Sequence, residues 1–199
     1  MGDEKAKTKA KYWNDVHAST TPPPLPISIG FLLAASLPMI FFTLCDTTGA
    51  FRLREDTAVA RIEMFCKLQI INAVTYFLII NVPAFIRVAS SSAAAHDPVV
   101  AVAAGLQTIQ WRTAERVAVN TTEQLLVMVL ASAALAMRIE ARLFDCIPAW
   151  YLTFLVSRIV YAVGYVCSGH WRMMGFPATI FPNIAGTIYT GYLIWEHGF

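Results

Sequence analysis

Charged residues are scarce in this chain. Only 14% of its 199 residues are charged, whereas 57% are hydrophobic, and the mean hydropathy is +0.55. A soluble domain usually has about a quarter of its residues charged. The net charge of +2 comes from scattered basic residues that form no basic patch for nucleic acid. The composition therefore predicts an integral membrane protein in contact with lipid, and no nucleic-acid partner.

Signals for metal sites and for β-structure are also missing. The chain has no alternating strand pattern, and irregular backbone cannot face lipid, so the sequence predicts an α-helical bundle. The cysteines show no metal-ligand spacing, and we expect no metal. We interpret them as small buried hydrophobic residues in a reducing compartment. They are Cys45, Cys66, Cys146 and Cys167.

The first 26 residues form a polar segment with several lysines that ends in a cluster of prolines. It is too long and too mixed for the charged region of a signal peptide. We interpret residues 1–26 as an exposed tail that the prolines keep extended before the first span.

The apolar runs that follow are long enough for five transmembrane helices. A helix needs about 20 residues to cross about 30 Å of hydrocarbon. Windows with few or no charges predict spans at residues 27–46, 66–88, 115–138, 147–169 and 177–196.

The basic residues indicate the orientation of these spans. With five spans, the N-terminal tail and the connections at 88–114 and 169–177 share one side, which has eight lysines and arginines against six on the other. This bias predicts a cytosolic N-terminus. In the 88–114 connection, Asp97-Pro98 predicts a helix start. The apolar half after it either lies along the membrane interface or extends the third span.

The third predicted span begins with a stripe of polar side chains. In "RVAVNTTE", Arg116, Asn120 and Glu123 are spaced by four and three residues, which places them on one face of a helix. Asn120-Thr121-Thr122 also matches the N-glycosylation pattern, but at a cytosolic helix entry we consider that match accidental.

The fourth predicted span has a second stripe, since "SRIVYAVGY" places Arg158, Tyr161 and Tyr165 on one face. Ionisable groups at membrane depth usually face the bundle interior and have partners. Because the two helices are antiparallel, we expect Glu123 and Arg158 to meet. A tyrosine belt, a snorkelling arginine or an ion pair that joins two helices are simpler alternatives. Two converging stripes favour a site for a small ligand with both signs of charge.

Together the stretches "ERVAVNTTE" (115–123) and "SRIVYAVGYVCSGHWRMMGF" (157–176) resemble the MAPEG superfamily, the membrane-associated proteins in eicosanoid and glutathione metabolism. Its microsomal glutathione S-transferases have Arg-x-x-x-Asn-x-x-Glu on one helix and Arg-x-x-Tyr-x-x-x-Tyr on the next, with a further arginine near its end. The resemblance covers about residues 66–196. It implies a four-helix domain at 66–199, a homotrimer, and 27–46 as an additional N-terminal transmembrane helix.

The resemblance also implies a chemistry, with glutathione as co-substrate bound between subunits near the cytosolic side. Arg172 matches the family position that stabilises the glutathione thiolate. That thiolate would attack a lipophilic electrophile or a lipid hydroperoxide. The implied glutathione-binding residues are Arg116 and Asn120 for the peptide, Glu123 for the γ-glutamyl ammonium, and Arg158, Tyr161 and Tyr165 for the opposite wall.

Some positions depart from the family pattern and leave other functions open. Ala118 and Gln124 stand where family enzymes often have a polar and an aromatic residue, respectively. A non-catalytic member that acts as a lipid-binding scaffold or as a membrane subunit of a larger complex is one alternative. An unrelated transporter or channel is another, although the polar residues cluster in one leaflet. We expect the endoplasmic reticulum as the location, with a mitochondrial membrane as the alternative.

Overall fold

The computed structural model describes residues 24–53, 55–89, 98–103, 105, 108–167 and 171–197. Five long helices and one short helix make up most of these residues, and none of them forms a strand. The helices are α1 (Pro24–Thr48), α2 (Ala58–Val88), the short α3 (Pro98–Ala103), α4 (Ile109–Arg138), α5 (Cys146–Cys167) and α6 (Gly175–His197). Short 3-10 turns at Ala141–Leu143 and Trp171–Met174 precede α5 and α6.

The five long helices stand at the positions of the five predicted spans. Four segments are long and apolar enough to cross a membrane: Leu25–Thr48, Ala58–Val88, Gln110–Arg138 and Ala141–Tyr165. This confirms the predicted all-α membrane fold. α6 has 23 residues and is long enough to cross, but it is not one of these four because Asn183 and several threonines and tyrosines interrupt its apolar residues. That α6 spans the membrane stays a prediction.

Two helices begin six or more residues earlier than their apolar windows predict, and each begins at a threonine cap. The Thr57 side chain accepts a hydrogen bond from the backbone N–H of Ala60, and Thr108 accepts one from that of Trp111. Such caps satisfy amide groups that have no partner within the helix. α4 therefore begins at Ile109, which extends the third predicted span, while α3 remains a separate short helix. Residues 1–23 of the predicted tail lie outside the described residues. Its last three residues, 24–26, belong to the first turn of α1 and not to an extended segment.

The core lies where α2, α4 and α5 meet. Leu68, Met128 and Phe154 are buried there, one from each helix. At its centre the hydroxyl of Tyr151 is 2.7 Å from Gln69 Nε2 and 2.9 Å from Ser132 Oγ. These bonds satisfy polar groups that would otherwise be costly to bury, and they fix the register of the three helices.

α1 packs against α5, α6 and the turn at Trp171–Met174. The approach is close at Gly30, because a Cβ there would stand 2.2 Å from the carbonyl oxygen of Met173. Nearby, the rings of Phe31 and Phe181 lie 5.3 Å apart. The first turns of α1 therefore lie on the same side of the membrane as Arg172.

The close approach at Gly30 leads to a prediction about stability, for which Gly191 provides a matched control. Gly30→Ala should destabilise the protein by about 1–3 kcal/mol, because the added methyl group overpacks the contact with Met173. Gly191→Ala should leave stability unchanged or raise it by about 0.5–1 kcal/mol, since alanine favours a helix and a Cβ at Gly191 would meet no atom within 4 Å. Thermal unfolding in detergent measures both. Equal unfolding temperatures for the two variants would mean that α1 does not pack here as described.

Candidate functional site

The polar stripe of α4 lines an open groove of about 430 Å³. Arg116 and Glu123 are exposed along it, and Asn120 is half-buried at its inner edge. The groove therefore offers a cation, an amide and a carboxylate within one length of helix. Its lining residues are Arg112, Glu115, Arg116, Val119, Asn120 and Glu123.

Arg112 and Glu115 were not among the predicted site residues. The spacing rule that selected the stripe could have found them, since Arg112 precedes Arg116 by four residues and Glu115 precedes Val119 by four. They extend the groove by one turn toward the start of α4 and add one charge of each sign.

Arg158 lies behind this groove and is completely buried, with 0% of its surface exposed. Its Nη1 donates to Asn120 Oδ1 at 2.8 Å, and its Nε donates to Thr179 Oγ1 at 3.1 Å. Its guanidinium carbon stands 4.7 Å from the centre of the Tyr161 ring. Arg158 thus joins α5 to both α4 and α6, while its Nη2 has no hydrogen-bond partner among the described residues.

The prediction that Glu123 and Arg158 meet as an ion pair is wrong. Arg158 contacts Asn120 instead, one turn earlier on α4, and Glu123 is exposed in the groove. An amide oxygen satisfies the buried guanidinium without bringing a carboxylate out of water, which is expensive. Glu123 therefore remains available to a ligand.

Two adjoining tyrosine rings connect Arg158 to Arg172, with one cation at each end. The rings of Tyr161 and Tyr165 meet edge to face at 5.7 Å, and the guanidinium carbon of Arg172 lies 5.4 Å from the centre of the Tyr165 ring. Arg172 Nη1 also donates to the Tyr165 hydroxyl at 3.4 Å. The attraction between a cation and the face of an aromatic ring is strongest where water is excluded.

Arg172 reaches Tyr165 because the turn at Trp171–Met174 lies very close to α5. A Cβ on Gly164 would stand 2.5 Å from the carbonyl oxygen of Trp171, so only glycine permits this approach. Gly164 directly precedes a tyrosine of the stripe, and this neighbouring glycine is a sequence signal that could have indicated the close approach.

The structure therefore connects five of the seven predicted site residues and places the other two on the adjoining groove. Asn120 belongs to both parts, since it lines the groove and holds Arg158. No group of three metal-binding side chains occurs among the described residues. The connected residues are Asn120, Arg158, Tyr161, Tyr165 and Arg172, and the groove residues are Arg116 and Glu123.

Comparison with protein families gives one match, the MAPEG family, over residues 69–192. This range is more than half of the chain, and it contains α4, α5 and most of α2 and α6. The chain belongs to the MAPEG family. No curated protein and no solved structure matched it. The family includes glutathione transferases, peroxidases and non-catalytic members, and its proteins are generally trimeric. α1 lies wholly outside the matched range.

The contact between Asn120 and Arg158 predicts that two polar residues one turn apart on α4 contribute very differently to stability. Asn120→Ala should destabilise the protein by about 1.5–3 kcal/mol, because it leaves a buried guanidinium without its main acceptor. Glu123→Ala should change stability little, since Glu123 is exposed. Unfolding temperatures in detergent measure both variants. A greater loss for Glu123→Ala would indicate that Glu123 supports the fold.

Proposed function

We propose that this protein is a membrane-bound glutathione transferase that also reduces lipid hydroperoxides. The observation that carries the proposal is the continuous run from Asn120 through Arg158, Tyr161 and Tyr165 to Arg172. It consists of the residues that the family resemblance associates with glutathione, and it borders a groove with both signs of charge.

The groove matches the charges of glutathione, which has two carboxylates, one ammonium group, two amides and a thiol. Arg116 pairs with a carboxylate, because a guanidinium can form two parallel hydrogen bonds with it. Glu123 accepts hydrogen bonds from the γ-glutamyl ammonium, and Asn120 holds the peptide. Arg158, Tyr161 and Tyr165 form the opposite wall.

Arg172 has the catalytic role in this proposal. Its guanidinium favours the thiolate of glutathione over the thiol, so the thiol proton leaves to solvent and the sulfur becomes nucleophilic near pH 7. With an electrophile, the thiolate sulfur forms a bond to carbon and the leaving group departs or the double bond takes up a proton. With a hydroperoxide, the sulfur attacks the terminal oxygen and the O–O bond breaks. The departing alkoxide takes a proton from solvent to give the alcohol, and glutathione is left as a sulfenic acid. A second glutathione then converts the sulfenic acid to the disulfide and water.

The position of the groove supports a homotrimer with shared sites. Arg116 and Glu123 are exposed on the outer face of α4, next to apolar residues such as Val119 and Leu126 that are also exposed. Charged side chains at membrane depth are costly against lipid. A neighbouring subunit that covers this face would remove that cost and complete the wall of the groove.

The location remains part of the proposal. α1 begins on the side of the membrane that carries Arg172, and the lysine-bearing segment precedes it. The positive-inside rule places that side in the cytosol, where glutathione is abundant and cysteines stay reduced. We propose the endoplasmic reticulum as the organelle.

A second candidate, a non-catalytic family member, has one observation in its favour. Gln124 stands where several family enzymes have an aromatic residue, and its side-chain oxygen accepts a hydrogen bond from Asn183 at 3.1 Å. It therefore contributes to the contact between α4 and α6 and offers no ring to an electrophile.

The shared site predicts how the subunits associate. Chemical cross-linking of the folded protein in mild detergent should give dimers and trimers and no higher species. Glu123→Leu, which removes the groove carboxylate, should not prevent association if apolar contacts dominate the interface. Only monomers after cross-linking, at concentrations where the protein is folded, would contradict the homotrimer.

The role of Arg172 predicts a spectroscopic difference between two arginine variants. Glutathione added to the wild type should produce thiolate absorbance at roughly 240 nm at pH 7, because a neighbouring cation lowers the thiol pKa. A pKa lowered by about 2 units corresponds to about 2.7 kcal/mol. Arg172→Ala should abolish this absorbance and retain much of the binding. Arg116→Ala should weaken binding more than it alters the rate at saturation.

Arg138→Ala is the control, since Arg138 is exposed at the far end of α4 from the groove. It should behave as the wild type does in both measurements. If the wild type binds glutathione without thiolate absorbance and conjugates no electrophile, the protein is a non-catalytic member.

A further inference from the structure

A second cavity lies on the other side of the subunit, between α1 and the bundle. It is an apolar groove of about 430 Å³. Pro38 and Phe42 line it from α1, Ala149 and Trp150 from α5, and Ala185 from α6. None of the residues proposed for glutathione borders it. The groove runs from Ala34 and Ala185, near the middle of α1 and α6, to Cys146 at the start of α5. It therefore extends from the depth of hydrocarbon chains toward one membrane surface.

A charged pocket of about 270 Å³ lies at the end of α1 and the start of α5. Asp46 and Asp145 contribute two carboxylates, and Arg52 and Arg142 contribute two guanidinium groups. The pocket therefore has both signs of charge within a small volume. α5 has 22 residues, so this end lies about 33 Å from the end that carries Arg172, at 1.5 Å per residue.

The groove and the pocket lie next to each other. On α1, Pro38 and Phe42 of the groove and Asp46 of the pocket follow one another at intervals of four residues and so share one face. On the other wall, Cys146 of the groove directly follows Asp145 of the pocket. The apolar groove thus adjoins a charged pocket at the membrane surface.

Asp145 supplies the observation that points to a ligand. It is only 7% exposed, and its Oδ1 has no hydrogen-bond partner among the described residues. A buried carboxylate oxygen without a donor is expensive, and native proteins rarely leave one unsatisfied. The arginines of the pocket are free to reorient, because the side chains of Arg52 and Arg142 are 68% and 78% exposed. Exposed ion pairs such as theirs with Asp46 and Glu140 contribute little.

We propose that the groove and the pocket bind one phospholipid whose headgroup has a phosphate and a primary ammonium, as in phosphatidylethanolamine. An acyl chain lies in the groove between α1 and the bundle. The phosphate accepts hydrogen bonds from Arg52 and Arg142, and the ammonium donates to Asp145.

The chemistry of the pocket selects this headgroup over two others. The choline headgroup has the same charges but no N–H, so it leaves Asp145 Oδ1 without a donor. A phosphatidylglycerol headgroup brings only negative charge, so two arginines face a phosphate and two carboxylates, and one negative charge stays uncompensated. The proposal is independent of the glutathione site, because it concerns other residues at the opposite membrane face.

Native mass spectrometry of the purified full chain tests the proposal. The protein is released from micelles that contain equal amounts of phosphatidylethanolamine, phosphatidylcholine and phosphatidylglycerol with identical oleoyl chains. The wild type should retain phosphatidylethanolamine about tenfold better than phosphatidylcholine, the ratio expected for a charged hydrogen bond. Equal retention of the two, or stronger retention of phosphatidylglycerol, would overturn the proposal.

Two pairs of variants locate the site. Asp145→Asn should abolish the preference for the primary ammonium, whereas Glu55→Gln should keep it, since Glu55 is an exposed carboxylate on the same membrane side outside the pocket. Ala185→Phe should reduce retention of all three lipids by filling the groove, whereas Ala73→Phe on the exposed face of α2 should not. A preference that survives Asp145→Asn would overturn the proposal.

Arg142→Gln keeps the test decisive if Asp145→Asn does not fold, because Arg142 is exposed at the rim of the pocket. It should lower the retention of phosphatidylethanolamine and phosphatidylcholine alike, since both present a phosphate. Unchanged retention of both lipids would overturn the contact between phosphate and arginine.

Discussion

The placement of one buried cation, Arg158, determines most of the candidate site. A guanidinium cannot lose its charge in a protein, so a completely buried arginine must find acceptors. Asn120 and Thr179 supply them from the two neighbouring helices, and these bonds fix how α4 and α6 stand against α5. Because Asn120 also lines the groove, the same bond joins the fold to the surface that a ligand would contact. Such neutral acceptors leave the charge of Arg158 uncompensated by any carboxylate among the described residues, which suits a site for an anionic ligand.

The sequence predicted the stripes but not their pairing, and the reason is geometric. Periodicity determines which side chains share a face of one helix, so Arg116, Asn120 and Glu123 followed from spacing alone. It does not determine how far two helices rotate or slide against each other. A shift of one turn, about 5.4 Å, decides whether Arg158 meets Asn120 or Glu123. Counting residues along two helices does not give the relative depth of their side chains more accurately than one turn. Desolvation favours the amide, but that cost enters only once the burial of both groups is known.

Contacts between residues that are distant in the chain could not be predicted from the sequence either. Arg61 is an example, because its Nη1 donates to the carbonyl oxygens of Ala136 and Ile139 at the end of α4 while Asp56 holds its other side. In the sequence it was only one basic residue in the count for orientation. The starts of α2 and α4, by contrast, could have been predicted, because Thr57 and Thr108 are residue types that commonly cap helices. Apolar windows detect the part of a helix that lies in lipid and miss the turns that extend beyond it.

The additional helix α1 links the two ends of the molecule through packing. Near its start Gly30 contacts Met173, the residue after Arg172, and near its end Asp46 borders the charged pocket. The turn that carries Arg172 therefore packs between α1 and α5. A phospholipid between α1 and the bundle would stabilise α1 in this position, because a ligand that binds only one arrangement shifts the population toward it. The helix that lies outside the family match would then determine how firmly Arg172 is held.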